Sequence, residues 1–91
     1  MGADVGFDDF QRSIVARYGT ADRARGVPAS VAWLAEEVGE LAQAARKGST
    51  DEQLREFGDV LAWLASLADQ LGVSLGDAAR HHLEADRPPS P

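Results

Sequence analysis

Apolar residues recur at helical spacing in four stretches of the chain, and polar stretches separate them. Phe7, Phe10, Ile14 and Tyr18 fall on one stripe and predict a first helix from about Asp8 to Tyr18. The segment "GTADRARGVP" then reads as a polar loop with two glycines. A second helix is predicted from about Ala29 to Lys47. Arg46 and Lys47 suit its C-terminal end, where the helix dipole favours cations, and Gly48 suits the position just beyond it. "STDEQ" supplies capping chemistry, either Ser49 with Glu52 or Thr50 with Gln53. A third helix is predicted from about Asp51 to Leu71, stopping at Gly72. Ser74 then caps a shorter fourth helix that ends near Ala85. Pro28, Pro88, Pro89 and Pro91 interrupt none of these segments. The pattern is all-α: a helical hairpin, tied by a link of about three residues, with two shorter flanking helices.

The 91 residues read as a single domain with a core over about 7–85, and "DRPPSP" at 86–91 reads as a frayed tail. No internal repeat is visible. The two long helices are rich in Leu, Val and Ala, more than two short neighbours cover, so a four-helix bundle built from more than one chain is expected. Hydrophobic residues make up 44% of the chain, which fits a folded protein. With no cysteine there is no disulfide and no thiol nucleophile. No apolar run is long enough for a membrane span, and "MGADVGFDDF" lacks the basic and apolar regions of a signal peptide, so a cytoplasmic protein is expected. A net charge of -6 argues against a nucleic-acid polymer as partner.

The acidic residues of the two central helices are not spread evenly. At about 100° per residue, Leu34, Val38, Leu41, Ala42 and Ala45 share one apolar arc of the second helix. Glu37 and Glu40 flank it, with Trp33 between them in projection, and Glu36 lies further towards solvent. On the third helix Phe57, Val60, Leu64, Leu67 and Leu71 form the arc. Glu56 and Asp59 stand at its border, again with a tryptophan, Trp63, between them. When the hairpin closes, both carboxylate pairs lie about one and a half to three turns above the loop, facing each other at the edge of the apolar surface. Four carboxylates so placed raise each other's pKa and oppose folding unless a cation compensates them. Neither strip holds a Lys or Arg. Oxygen-only ligands suit Mg²⁺, with Mn²⁺ as the alternative.

"EEVGE" at Glu36–Glu40 followed by "EFGD" at Glu56–Asp59 resembles the E-E-x-x-E then E-x-x-D signature of the small, single-domain MazG-like all-α nucleoside triphosphate pyrophosphohydrolases. The surrounding "WLAEEVGELAQAARKG" and "DVLAWLASLADQLGVSL" fit as well, and the resemblance covers about Phe10 to Leu75. It implies a four-helix-bundle-type oligomer, a homodimer or homotetramer. It also implies Mg²⁺-dependent cleavage of a nucleoside triphosphate between its α- and β-phosphates, giving the monophosphate and pyrophosphate, as in nucleotide-pool housecleaning. By motif, Glu37, Glu40, Glu56 and Asp59 would be metal ligands. Glu36 would be a further ligand or would activate the attacking water, completing a catalytic set of five acids.

Candidate substrate contacts are Trp33 and Trp63, whose indoles suit base stacking, and the cations Lys47, Arg80 and Arg87, together with His82. Where many relatives carry a Lys and, four residues on, an Asn, this chain has His82 and Asp86, with Arg87 following. That departure supports an alternative, a non-catalytic metal- or nucleotide-binding oligomerisation module. Gly39 and Gly58, inside the two motifs, are expected where helices approach closely.

Overall fold

The computed structural model describes residues 4–85. They form four helices and, among the described residues, no strand: α1 (Phe7–Arg25), α2 (Val27–Lys47), α3 (Thr50–Gln70) and α4 (Leu75–Glu84). α2 and α3 make an antiparallel hairpin, α1 packs along α3, and α4 docks on α1.

The hairpin turn is built as the capping residues require. The Ser49 side chain accepts from the Glu52 amide at 3.1 Å, and the Glu52 carboxylate accepts from the Ser49 amide at 3.2 Å. This is the first of the two expected capping boxes. Gln53 serves the other helix end, donating from Nε2 to the Ala44 carbonyl at 3.0 Å. Gly48 leaves no room for a side chain, since a Cβ there would lie 2.8 Å from the Ala44 carbonyl oxygen.

α1 runs through the segment expected to be a loop, ending at Arg25 rather than near Tyr18. A mid-helix glycine costs about 1 kcal/mol relative to alanine, but tertiary contacts outweigh Gly19. Asp22 is buried and accepts from the Ser66 hydroxyl at 2.6 Å, and Arg23 pairs with Asp69 at 2.7 Å. The chain turns at Gly26, whose φ of 89° strains any residue with a side chain, and α2 starts at once with Pro28 in its first turn.

The buried apolar core is thin: Ile14, Ala44 and Ala65. The apolar arcs divide into two faces. On α3, Val60 and Leu67 are half-buried while Leu54, Phe57, Leu61 and Leu64 stand exposed along an i, i+3, i+7, i+10 line, with Leu71 exposed just beyond the helix end. On α2, Leu34 and Leu41 are half-buried while Val31, Ala35, Val38, Ala42 and Ala45 stand exposed. Within the chain no helix closely approaches Gly39 or Gly58, since a Cβ at either would meet nothing within 4 Å.

Polar contacts do much of the remaining work. Ser30, with no exposed surface, accepts from Gln70 Nε2 at 2.8 Å, and Gln70 also donates to Ser66 at 3.2 Å. Together with Asp22, these residues tie α1, α2 and α3. At the other end, Asp8 accepts from the Ser74 hydroxyl at 2.8 Å and the Gly76 amide at 3.1 Å. These bonds hold the Asp8 carboxyl below the usual range. Gln11 accepts from the Leu75 amide at 3.0 Å and donates to the Val73 carbonyl at 2.9 Å and the Ala65 carbonyl at 3.2 Å. Two side chains of α1 thus satisfy amides that the start of α4 leaves open.

Candidate functional site

Antiparallel pairing of α2 and α3 brings carboxylates from both helices to one place. Glu37, Glu56 and Asp59 each offer an oxygen within 4.8 Å of the others. Glu40 is a close neighbour of this group. Its charge acts on both Glu37 and Glu56, and it lines a cleft with Glu56. Glu36 is exposed and lies outside the group.

The cluster is electrostatically uncompensated. Burial, and then the charges of Glu40, Asp59 and Glu56, push the Glu37 carboxyl up to about 7. Burial also raises Glu56, followed by repulsion from Glu40 and Asp59, with Arg55 acting in the opposite direction. One buried oxygen of each, Oε2 of Glu37 and Oε2 of Glu56, has no hydrogen-bond partner. A buried acceptor without a partner costs about 1–3 kcal/mol, more when charged. A hard divalent cation supplies what these oxygens lack, and the donor set fits Mg²⁺ or Mn²⁺.

Two concavities flank the carboxylates. Towards the hairpin turn, an open cleft of about 310 Å³ is lined by Glu40, Gln43, Ala44, Lys47, Gly48, Glu52 and Glu56. It places Lys47 beside the acids. Towards α1, a smaller cavity of about 190 Å³ is lined by Ile14, Tyr18, Asp22, Asp59, Ala62 and Trp63.

Trp33 and Trp63 stack on each other, with centroids 5.9 Å apart and planes 8° from parallel. The Arg25 guanidinium lies over the Trp63 ring at 5.7 Å and is held by an ion pair to Asp22. The spacing of the tryptophans set each of them beside a carboxylate pair on its own helix. Arg25 and Asp22 went unnoticed, because they lie in the segment that reads as a loop.

The C-terminal candidates are placed differently. Arg80 pairs with Asp77 on α4 and lines a surface cleft with Phe7, Asp8 and Leu83, which none of the five candidate acids lines. The chain alone does not bring Arg80 to the carboxylates, because Asp8 and Gln11 fix α4 against the start of α1. His82 is exposed on α4. Asp86 and Arg87 lie outside the described residues.

No helix among the described residues is long and apolar enough to cross a membrane. Among curated proteins, none matches the chain. The family model described as the MazG nucleotide pyrophosphohydrolase domain matches residues 26–84, which hold the carboxylate hairpin and α4. The chain therefore belongs to the MazG nucleotide pyrophosphohydrolase domain family.

Proposed function

We propose that the protein hydrolyses nucleoside triphosphates between the α- and β-phosphates, with Mg²⁺ as cofactor, releasing monophosphate and pyrophosphate in the cytoplasm. The observation that carries this reading is the interhelical carboxylate cluster with two buried, unpartnered oxygens. Glu37, Glu56 and Asp59, with Glu40 beside them, would hold the ion. When bound, it neutralises phosphate charge and acidifies water. The protein's own groups then have separable tasks. Lys47, in the cleft beside Glu40 and Glu56, meets the departing pyrophosphate. Glu36, exposed next to the cluster, accepts the proton of the attacking water. The stacked indoles of Trp33 and Trp63 mark the nucleoside end.

The working form is a homodimer or homotetramer. A second copy is the natural cover for the exposed stripes of α2 and α3, where Phe57 is 56% and Leu54 74% exposed. Gly39 and Gly58 lie in these same helices, open to a close approach from outside the chain.

Pyrophosphate release from canonical and modified (d)NTPs, with Mg²⁺ and with EDTA, tests the reading. Mg²⁺-dependent release from some of them is expected. Nucleotide binding without release would instead make the protein a non-catalytic binding module. Light scattering after size exclusion tests assembly, and a monomer at micromolar concentration would overturn it.

A further inference from the structure

The two concavities beside the carboxylates differ in chemistry, and the difference gives the substrate a direction. The cleft towards the hairpin turn is lined mainly by polar and charged groups, with Lys47 beside the cation-holding Glu40 and Glu56. The cavity towards α1 has apolar and aromatic walls, Ile14, Tyr18, Ala62 and Trp63. A triphosphate belongs in the first and a heterocycle in the second. The two carboxylates of the α1 cavity reinforce this. Asp59 belongs to the cation group. Asp22 is already met by Arg25 and by the Ser66 hydroxyl, so it offers spare acceptor lone pairs rather than uncompensated charge. Such a floor offers phosphate no hydrogen-bond donor and accepts the N–H donors of a base.

Size narrows the choice further. At about 190 Å³ the cavity is below the roughly 300 Å³ at which sites for whole drug-sized ligands begin. An apolar cavity of about 150 Å³ in another protein holds one benzene ring. The space thus suits one six-membered ring and not a fused pair. Its walls are also held in place. Asp22 is 4% exposed and fixed through Ser66 and Gln70, and it holds Arg25 over Trp63, which Trp33 supports by stacking. A braced wall does not yield readily to a larger base.

We infer that the cavity formed by Ile14, Tyr18, Ala62 and Trp63, with Asp22 at its floor, receives the base and selects pyrimidine over purine nucleoside triphosphates. The inference rests on the proposed function and names its substrate class.

The test separates binding from turnover. Non-hydrolysable α,β-imido analogues of a pyrimidine and a purine deoxynucleoside triphosphate are titrated with Mg²⁺, and binding is read as quenching of tryptophan fluorescence. Pyrophosphate release is measured in parallel with the natural nucleotides. The pyrimidine analogue should bind at least about tenfold tighter, the scale on which a shaped apolar pocket discriminates. Tyr18→Ala removes one wall and should shrink that preference to about threefold or less. Tyr18 is half exposed, so the variant should fold, and an unchanged circular dichroism spectrum verifies this. Equal or tighter purine binding by the unaltered protein overturns the inference, as does a preference that survives Tyr18→Ala. Pyrimidine-selective binding without pyrophosphate release overturns the hydrolytic reading and leaves the selectivity standing. If neither analogue binds, both fail.

Discussion

The two ends of the α2–α3 hairpin solve the problem of buried polar atoms in opposite ways. At the end away from the turn, Asp22, Ser66, Gln70 and Ser30 are buried or half-buried, and each has a partner. Nearer the turn, Glu37 and Glu56 each bury an oxygen that has none. The first group tolerates burial because its hydrogen bonds are internal. The second is held in an arrangement the chain alone leaves unfavourable. A satisfied network marks what the fold needs for itself, and an unsatisfied one marks what it holds for something else. That contrast supports a functional role for the carboxylates and a bracing role for the Asp22 group.

The largest effect should come from neutralising one of the unsatisfied acids. Glu56→Gln should lower Mg²⁺-dependent pyrophosphate release by on the order of 10²–10³ or more, the scale of losing one electrostatic stabiliser. It should leave the metal-free fold intact or raise its Tm, since like-charge repulsion is relieved. A lowered Tm would erase the contrast. Asp22→Ala should instead lower the metal-free Tm. It leaves the Ser66 hydroxyl and Arg25 without their acceptor at a cost of about 1–3 kcal/mol. For a chain of this size that is a fall in Tm of roughly 4–8 °C per kcal/mol, read by thermal melting.

A smaller effect separates the two ends by pH. Glu37 and Glu56 have carboxyls raised in the folded state, Glu37 to about 7 from an ordinary value of 4.5. The folded protein therefore holds protons that the unfolded chain has released. The Glu37 contribution to stability is fully present below pH 4.5 and is lost as pH rises through about 7, and Glu56 acts in the same direction. Metal-free Tm should decline across that window. Millimolar Mg²⁺, which needs the deprotonated acids, should raise Tm more at pH 8 than at pH 5.5. Equal shifts at both pH values would argue against ion binding here. Smallest, Ser49→Ala removes a helix cap at the turn and should cost about 1 kcal/mol, with activity retained once folded.

The hairpin, its cap and α4 were legible in the sequence because their signals are local: 3.6-residue periodicity, Ser–Glu spacing at the turn, and glycine at the exits. The meeting of Glu37, Glu56 and Asp59 followed from equal heights above a short turn, which also needs only local geometry. The far half of α1 was not legible. What holds it helical past Gly19 is Ser66 and Asp69, both on α3 and more than forty residues away in sequence. The distance of Arg80 from the carboxylates within one chain was hidden for a similar reason, since Asp8 and Gln11, not α4's own pattern, decide where α4 lies. The apolar arcs were visible as arcs, but which half faces inward depends on where α1 packs.

The docking of α1 bears on what counts as a separable unit. The segment shared with the family begins at residue 26, where α1 has just ended. Yet α1 supplies the acceptor for Ser66, both side chains that close the start of α4, and two walls of the cavity beside Trp63. A chain trimmed to the shared segment would keep all five candidate acids. It would also present a row of stranded donors and acceptors where α1 had been. In this protein the candidate acids and the contacts that hold their helices rigid are carried by different stretches of chain, so the first can be copied without the second.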